Sequence, residues 1–199
     1  MIRLLTERDI YHFREGTHFR AYEKLGAHPV SPDGRNAGDD AGTFFGVWAP
    51  NAARVSVVGD FNGWDPQSHV LDAASGDSGI WTGFVPGIGA GALYKFHIES
   101  QRNGYKVQKS DPFAFRCEEP PRTASVVADL AYEWHDDEWM SVRAARNSLD
   151  APMSVYEVHL GSWRRVPEEG NRPLNYRELA HALGDYVSEL GFTHQLLPL

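Results

Sequence analysis

The 199-residue sequence has a single cysteine, Cys117, and no long apolar run. One cysteine excludes an internal disulfide and a zinc site built from several thiolates. No stretch approaches the roughly 20 apolar residues of a membrane-spanning helix. The segment Met1 to Glu7 also lacks the apolar core of a signal peptide. We therefore expect a cytoplasmic protein with no membrane partner.

Clusters of basic residues are scarce as well. The chain carries 19 Lys and Arg against 27 Asp and Glu, for a net charge of −8. The densest basic pair, Arg143 with Arg146, is typical of a solvated helix face. A negative surface repels phosphate backbones, so we expect no nucleic-acid partner.

Sequence signals for metal, cofactor or nucleophilic chemistry are also missing. His159 and His194 lie near the ends of two predicted strands, but a zinc site needs a third ligand and none is evident. The chain has no Gly-x-Ser-x-Gly nucleophile elbow. The glycine-rich run 87–91 is followed by a predicted strand rather than a helix, which indicates a hairpin turn. No metal and no cofactor are expected.

Short β-branched and aromatic runs, each ended by Gly, Pro or Asn, dominate the middle of the chain. They cover residues 43–49, 55–59, 81–85, 92–100, 106–109 and 125–127. This spacing predicts a mainly β fold, with antiparallel strands packed as a sandwich. Tyr94, Phe96 and Ile98 alternate with Lys95, His97 and Glu99, so one face is expected to be buried and the other wet. Trp48 and Trp81 are expected in the core.

The pattern changes after residue 127. Residues 134–147 are compatible with a helix, and Asp150-Ala151-Pro152 indicates a linker. A strand at 153–160, an amphipathic helix at 175–190 and a further strand at 192–199 then predict a βαβ unit. A lone βαβ unit cannot bury both faces of its strands, so we interpret it as the start of a larger parallel sheet or barrel.

Several segments resemble one enzyme family in order and spacing. EGTHFRAYEKLGAH (15–28) is similar to the entry segment of bacterial glycogen branching enzymes. FGVWAPNA (45–52) and VVGDFNGWD (57–65) resemble the glucan-binding modules of the α-amylase clan. SVYEVHLGSWRR (154–165) resembles the first barrel strand of branching enzymes, and NYRELA (175–180) with GFTH (191–194) resembles the helix and strand that follow.

The resemblance implies a domain plan and an activity. It implies a lead segment at 1–24, an immunoglobulin-like antiparallel β-sandwich at 25–130, a linker at 131–152, and the first βαβ unit of an incomplete (β/α)8 barrel at 153–199. The family transfers an α-1,4-glucan segment to a C6 hydroxyl, which forms α-1,6 branches in glycogen. Its catalytic carboxylates lie beyond the second barrel strand. We therefore expect no catalytic residue in these 199 residues, and no activity from them alone.

The resemblance also implies a glucan-binding site with glycogen or another α-1,4-glucan as partner. Trp64 and Lys95 match glucan-contacting positions of related modules, and Tyr105 matches a second stacking position less closely. Trp64 follows a turn, where its ring can be exposed; the alternative is that it closes one end of the core. Two functional alternatives stay open beside the branching enzyme: a non-catalytic glucan-binding module, and a structural remnant that binds nothing. The sequence indicates no oligomeric state.

Overall fold

The computed structural model describes residues 4–30, 41–75 and 77–197, and the chain divides into two units, Met1–Tyr132 and Glu133–Leu199. The first unit contains most of the predicted strands. The second contains the predicted βαβ elements. Each unit has its own cluster of buried apolar side chains.

The first unit folds into two antiparallel sheets. Its elements are α1 (Glu7–Arg14), β1 (Gly26–Val30), β2 (Gly42–Trp48), β3 (Ala52–Gly59), β4 (Asp72–Ala73), β5 (Ile80–Pro86), β6 (Leu93–Ser100), β7 (Lys106–Lys109), β8 (Arg116–Cys117) and β9 (Ser125–Val126). Sheet A has the strand order β1-β2-β5-β4. Sheet B has the order β3-β6-β9-β8, and β7 also pairs with β6. The predicted antiparallel β-sandwich is confirmed.

The core lies between the two sheets because alternate side chains of each strand point to it. Phe45 and Val47 come from sheet A, while Val57, Tyr94 and Phe96 come from sheet B. The ring centroids of Phe45 and Tyr94 are 5.1 Å apart in an edge-to-face arrangement, which aromatic pairs favour. The expected alternation in β6 is thus present, and Lys95, His97 and Glu99 lie on the outer face of sheet B.

The helix of the lead segment belongs to a second apolar cluster. Thr6 and Asp9 form a capping box at the start of α1, so the first free N–H groups of the helix are satisfied. Ile10 of α1 then packs in a buried cluster with Leu25 and Ile80, and Ile80 is in sheet A. The lead segment is therefore tied to sheet A through apolar contacts.

Two expectations about this region are wrong. Trp48 is not in the core: it is 52% exposed, and its indole N–H donates to the Ser78 carbonyl at the rim of sheet A. The turn-rich composition of residues 29–42 also predicts a loop from Pro29 onward, but Gly26–Val30 forms strand β1 instead. Pro29 is tolerated because β1 is an edge strand, where one backbone N–H needs no ladder partner. Residues 31–40 of that loop lie outside the described residues.

A buried carboxyl stabilises the inside of the sandwich. The Tyr94 hydroxyl donates to Asp111 Oδ2 at 2.5 Å, and the Phe113 backbone N–H donates to Asp111 Oδ1 at 2.8 Å. The Asp111 backbone N–H donates in turn to Ser125 Oγ at 2.9 Å. Burial raises the pKa of Asp111, while the hydrogen bonds from Tyr94 and Phe113 lower it. This network connects β6 with the segments before β8 and at β9.

The second unit contains a parallel pair of strands with a helix between them. Its elements are α2 (Asp137–Arg146), β10 (Val155–Glu157), α3 (Leu160–Trp163), β11 (Arg165–Val166), β12 (Arg172–Pro173), α4 (Tyr176–Glu189) and β13 (His194–Leu196). Strands β10 and β13 pair in parallel, as the predicted βαβ unit requires. Asn175 caps α4 together with Glu178, and Leu183 and Val187 of α4 pack against Val158.

Candidate functional site

A hydrogen-bonded turn follows β3 and presents Trp64. Asn62 fixes this turn: its side-chain oxygen accepts from the Gly59 N–H at 2.9 Å, and its side-chain nitrogen donates to the Val57 carbonyl at 3.0 Å. The Trp64 backbone N–H donates to the Gly59 carbonyl at 2.9 Å. The turn therefore closes on the end of β3 and holds Trp64 beside it.

Trp64 has an unusual backbone for an aromatic residue. Its φ is +62°, and the preceding Gly63 also has a positive φ of +61°. A left-handed backbone costs an L-residue with a Cβ about 1–2 kcal/mol, so the hydrogen bonds of the turn must hold it there. Backbone strain of this kind is common at binding sites. The Trp64 side chain is only partly buried, so its ring retains exposed surface.

Lys95 lies at the same end of sheet B. It pairs with Val58, and the next residue pair, Gly59 with Tyr94, leads directly to the Trp64 turn. Because Tyr94 and Phe96 point to the core, Lys95 points to the outer face. The structure thus brings two of the three predicted residues to one end of one sheet.

Two hydroxyl-bearing residues that the sequence did not indicate complete this end of the sheet. Lys95 Nζ donates to Thr123 Oγ1 at 2.8 Å, and Ser110 Oγ donates to the Thr123 carbonyl at 2.5 Å. Thr123 comes just before β9 and Ser110 just after β7. They are adjacent because β6 pairs with both of these strands. No local sequence pattern reveals a contact made by strands so far apart in the chain.

Tyr105 is separated from the other two residues. Its carbonyl accepts from the Ser100 N–H at 2.8 Å, at the hairpin end of β6. Ser100 is five residues from Lys95, which is about 16 Å along a strand. The Tyr105 side chain is 61% exposed. It is therefore available for contact, but not at the end of sheet B where Trp64 and Lys95 lie.

His159, His194 and the acidic Glu157 of β10 make separate contacts. Glu157 is exposed and pairs with Leu196 across β10 and β13, while His194 pairs with Val155. His159 makes a local contact with Ser162, at 3.1 Å between Nδ1 and Oγ. Within the described ranges, no group of three His, Cys, Asp or Glu residues could hold a metal ion. No helix in that same part of the chain has the length and apolar character of a membrane span.

Comparison with known proteins identifies a family that the sandwich resembles. Residues 24–114 match the family model Carbohydrate-binding module 48 (Isoamylase N-terminal domain). A maltotriose complex of a PulA mutant from Klebsiella pneumoniae shares the fold, with a TM-score of 0.57 at 22% identity. That alignment covers 87% of this chain and 20% of the other.

Closer sequence relatives cover almost the whole chain. The 1,4-alpha-glucan branching enzyme GlgB of Aquifex aeolicus is 52% identical over 197 residues, which is 98% of this chain and 30% of that protein. The GlgB of Albidiferax ferrireducens is 53% identical over 195 residues, again 98% of this chain and 29% of the relative. The chain therefore spans less than a third of the length of these relatives. Nearly its whole length is similar to the amino-terminal region of the 1,4-α-glucan branching enzymes, and residues 24–114 match the carbohydrate-binding module 48 family.

Proposed function

We propose that the first unit binds α-1,4-glucan chains such as glycogen on the outer face of sheet B. Trp64 and Lys95 form the main contact, and Tyr105 contacts a more distant part of the same polymer. The observation that supports this most is the strained Trp64 backbone, held by the Asn62 hydrogen bonds at the end of the sheet where Lys95 emerges.

The chemistry of these groups suits a sugar. An indole ring offers a flat apolar surface for the C–H face of a glucose ring. The Lys95 ammonium has three N–H donors, and only one is engaged by Thr123 Oγ1, so the others are free to bind sugar hydroxyls. The Thr123 and Ser110 hydroxyls add further polar groups beside Lys95. Little rearrangement is needed on binding, because the turn and the strands already hold these groups.

We further propose that this chain acts as part of a glycogen branching enzyme. Such an enzyme cleaves an α-1,4-glucan segment and transfers it to a C6 hydroxyl. The support is the sequence identity of more than 50% over 98% of this chain. In this proposal the sandwich holds glucan for a barrel whose first βαβ unit is β10, α4 and β13.

Replacement of Trp64 by alanine tests the glucan-binding proposal. In native gels that contain glycogen, we expect the parent chain to be retarded and Trp64→Ala to migrate freely, because the stacking surface is lost. The affinity should fall at least about tenfold, the equivalent of 1.4 kcal/mol. Migration in gels without glycogen corrects for differences in charge and shape.

The exposed Trp139 of α2 provides the matched control for this test. Trp139→Ala removes an equally large exposed ring from the second unit and should leave the retardation unchanged. Equal migration of the parent with and without glycogen, while circular dichroism shows a folded β protein, would refute glucan binding. The sandwich would then be a scaffold only.

A branching assay tests the expectation that these residues alone are inactive. Retaining glycosyl transfer needs two carboxyl groups about 5–5.5 Å apart. The family places them in barrel segments that are not among residues 1–199. The iodine colour of amylose should therefore stay constant with the 199-residue chain, as in a sample without protein. A steady loss of colour above that control would contradict the expectation.

A further inference from the structure

Unsatisfied polar atoms are concentrated in one place on the outer face of sheet B. Among the described residues, the buried side-chain atoms without a hydrogen-bond partner include Ser56 Oγ and both ring nitrogens of His97. Glu99 Oε1, beside them, is held by ion pairs with Lys106 and Arg54. Ser56 is 1% exposed. Buried polar groups in proteins are nearly always paired, so a cluster of unpaired ones calls for an explanation.

The strand register explains why these atoms lie together. His97 pairs with Ser56 on β3 and with Gln108 on β7, and Glu99 pairs with Arg54 and Lys106 in the same way. Directly paired residues share a face of the sheet. Ser56, His97 and Glu99 therefore form one continuous polar row with Lys95.

This row continues the candidate glucan site. Lys95 and His97 are two residues apart on β6, which is about 7 Å along the strand. We propose that Ser56, His97 and Glu99 form a second subsite for the same α-1,4-glucan chain, next to the subsite of Trp64 and Lys95. The inference rests on the proposed function of the sheet.

Cationic side chains surround the carboxylate in this row. Lys106 Nζ lies 3.2 Å from Glu99 Oε1, with Arg54 Nη1 at 3.6 Å and His97 Nε2 at 3.7 Å. Lys106 above all, with Arg54 and His97, lowers the pKa of Glu99 and keeps it ionised.

A sugar hydroxyl matches the unpaired groups in a way that a phosphate does not. Each hydroxyl both donates and accepts a hydrogen bond. A neutral imidazole has one donor and one acceptor nitrogen, and a serine hydroxyl has both functions, so each can satisfy a sugar hydroxyl. Arg54 and Lys106 are long and flexible, so they can move aside as a sugar ring approaches His97.

Replacement of His97 by phenylalanine tests the second subsite. Phenylalanine keeps the ring but removes both nitrogens. We expect the melting temperature to stay equal or rise, because unpaired buried polar atoms are lost. The affinity for maltoheptaose should fall about fivefold, whereas the affinity for maltose, which the first subsite holds alone, should change less than about twofold.

Two further variants make the test specific. Ser56→Ala removes the other unpaired group with almost no change in shape, so it should also weaken maltoheptaose binding and leave maltose binding unchanged. His97→Gln keeps one donor and one acceptor and should restore part of the affinity. Titrations followed by NMR give all the affinities on the full 199-residue chain.

The possible outcomes separate this inference from the proposed function. If His97→Phe and Ser56→Ala both bind maltoheptaose as the parent does, there is no second subsite. The same conclusion follows if His97→Phe loses maltose and maltoheptaose binding equally. In both cases a parent that binds, together with a Trp64→Ala variant that does not, leaves the proposed function intact. A parent that does not bind maltoheptaose overturns both proposals.

Discussion

Asp111→Ala is expected to lower the free energy of unfolding by about 3 kcal/mol. The substitution removes the acceptor of the Tyr94 hydroxyl and of the Phe113 N–H, and Tyr94 is fully buried. Two donors would then be left without partners inside the sandwich. Urea unfolding followed by tryptophan fluorescence measures the loss as a lower midpoint with an unchanged slope.

Asp111→Asn is the matched control because it keeps an acceptor oxygen and removes the charge. Asp111→Asn should lower the free energy of unfolding much less than Asp111→Ala does. Burial raises the pKa of Asp111, so its charged form is disfavoured in the folded state. The parent should therefore gain stability relative to Asp111→Asn as the pH falls through that raised pKa towards 3.8, the ordinary value. An alanine variant as stable as the parent at pH 7 would show that the network contributes nothing.

Gly59→Ala should lower the free energy of unfolding by a similar amount, for steric reasons. A Cβ at residue 59 would overlap the carbonyl oxygen of Leu93 and the ring of Phe61. A backbone oxygen cannot move without disturbing the pairing of β3 with β6, so we expect a loss of about 3 kcal/mol. Because the Gly59 N–H and carbonyl also hold Asn62 and Trp64, glycogen retardation should weaken at the same time.

Gly89→Ala controls for the effect of adding a methyl group. A Cβ at Gly89 would meet no atom within 4 Å, and the loop between β5 and β6 is exposed there. This variant should match the parent within about 0.5 kcal/mol in urea unfolding. A Gly59→Ala variant with the midpoint of Gly89→Ala would contradict the steric account.

The strands of the sandwich core could be predicted because burial of one face imposes a visible alternation. Residues 93–100 alternate apolar and polar side chains, and the buried Tyr94 and Phe96 match that pattern. Strand β1 carries no such alternation and contains Pro29, so its pairing with β2 depends on tertiary context. Trp48 was wrongly expected in the core because we assumed that only one face of each strand is covered by protein. In sheet A the other face is covered as well, by α1, and Phe13 of that helix contacts Trp48 there.

The candidate site was predictable only in part. The resemblance indicated Trp64 and Lys95, and the register of β3 and β6 places them at one end of sheet B. Thr123 and Ser110 could not be found from sequence, because their neighbours are set by pairing between distant strands. The unpaired atoms of Ser56 and His97 are likewise a property of side-chain packing, since the sequence pattern shows only that the outer face is polar.

An NMR titration of the 15N-labelled chain with maltoheptaose tests the central claim, glucan binding on sheet B, most directly. We expect a saturable shift of the Trp64 indole N–H signal, assigned from a Trp64→Phe sample, together with the backbone amides of Lys95 and Thr123. The indole signals of Trp48 and Trp81 should stay in place. An unchanged spectrum at saturating maltoheptaose, or shifts confined to sheet A, would contradict the claim.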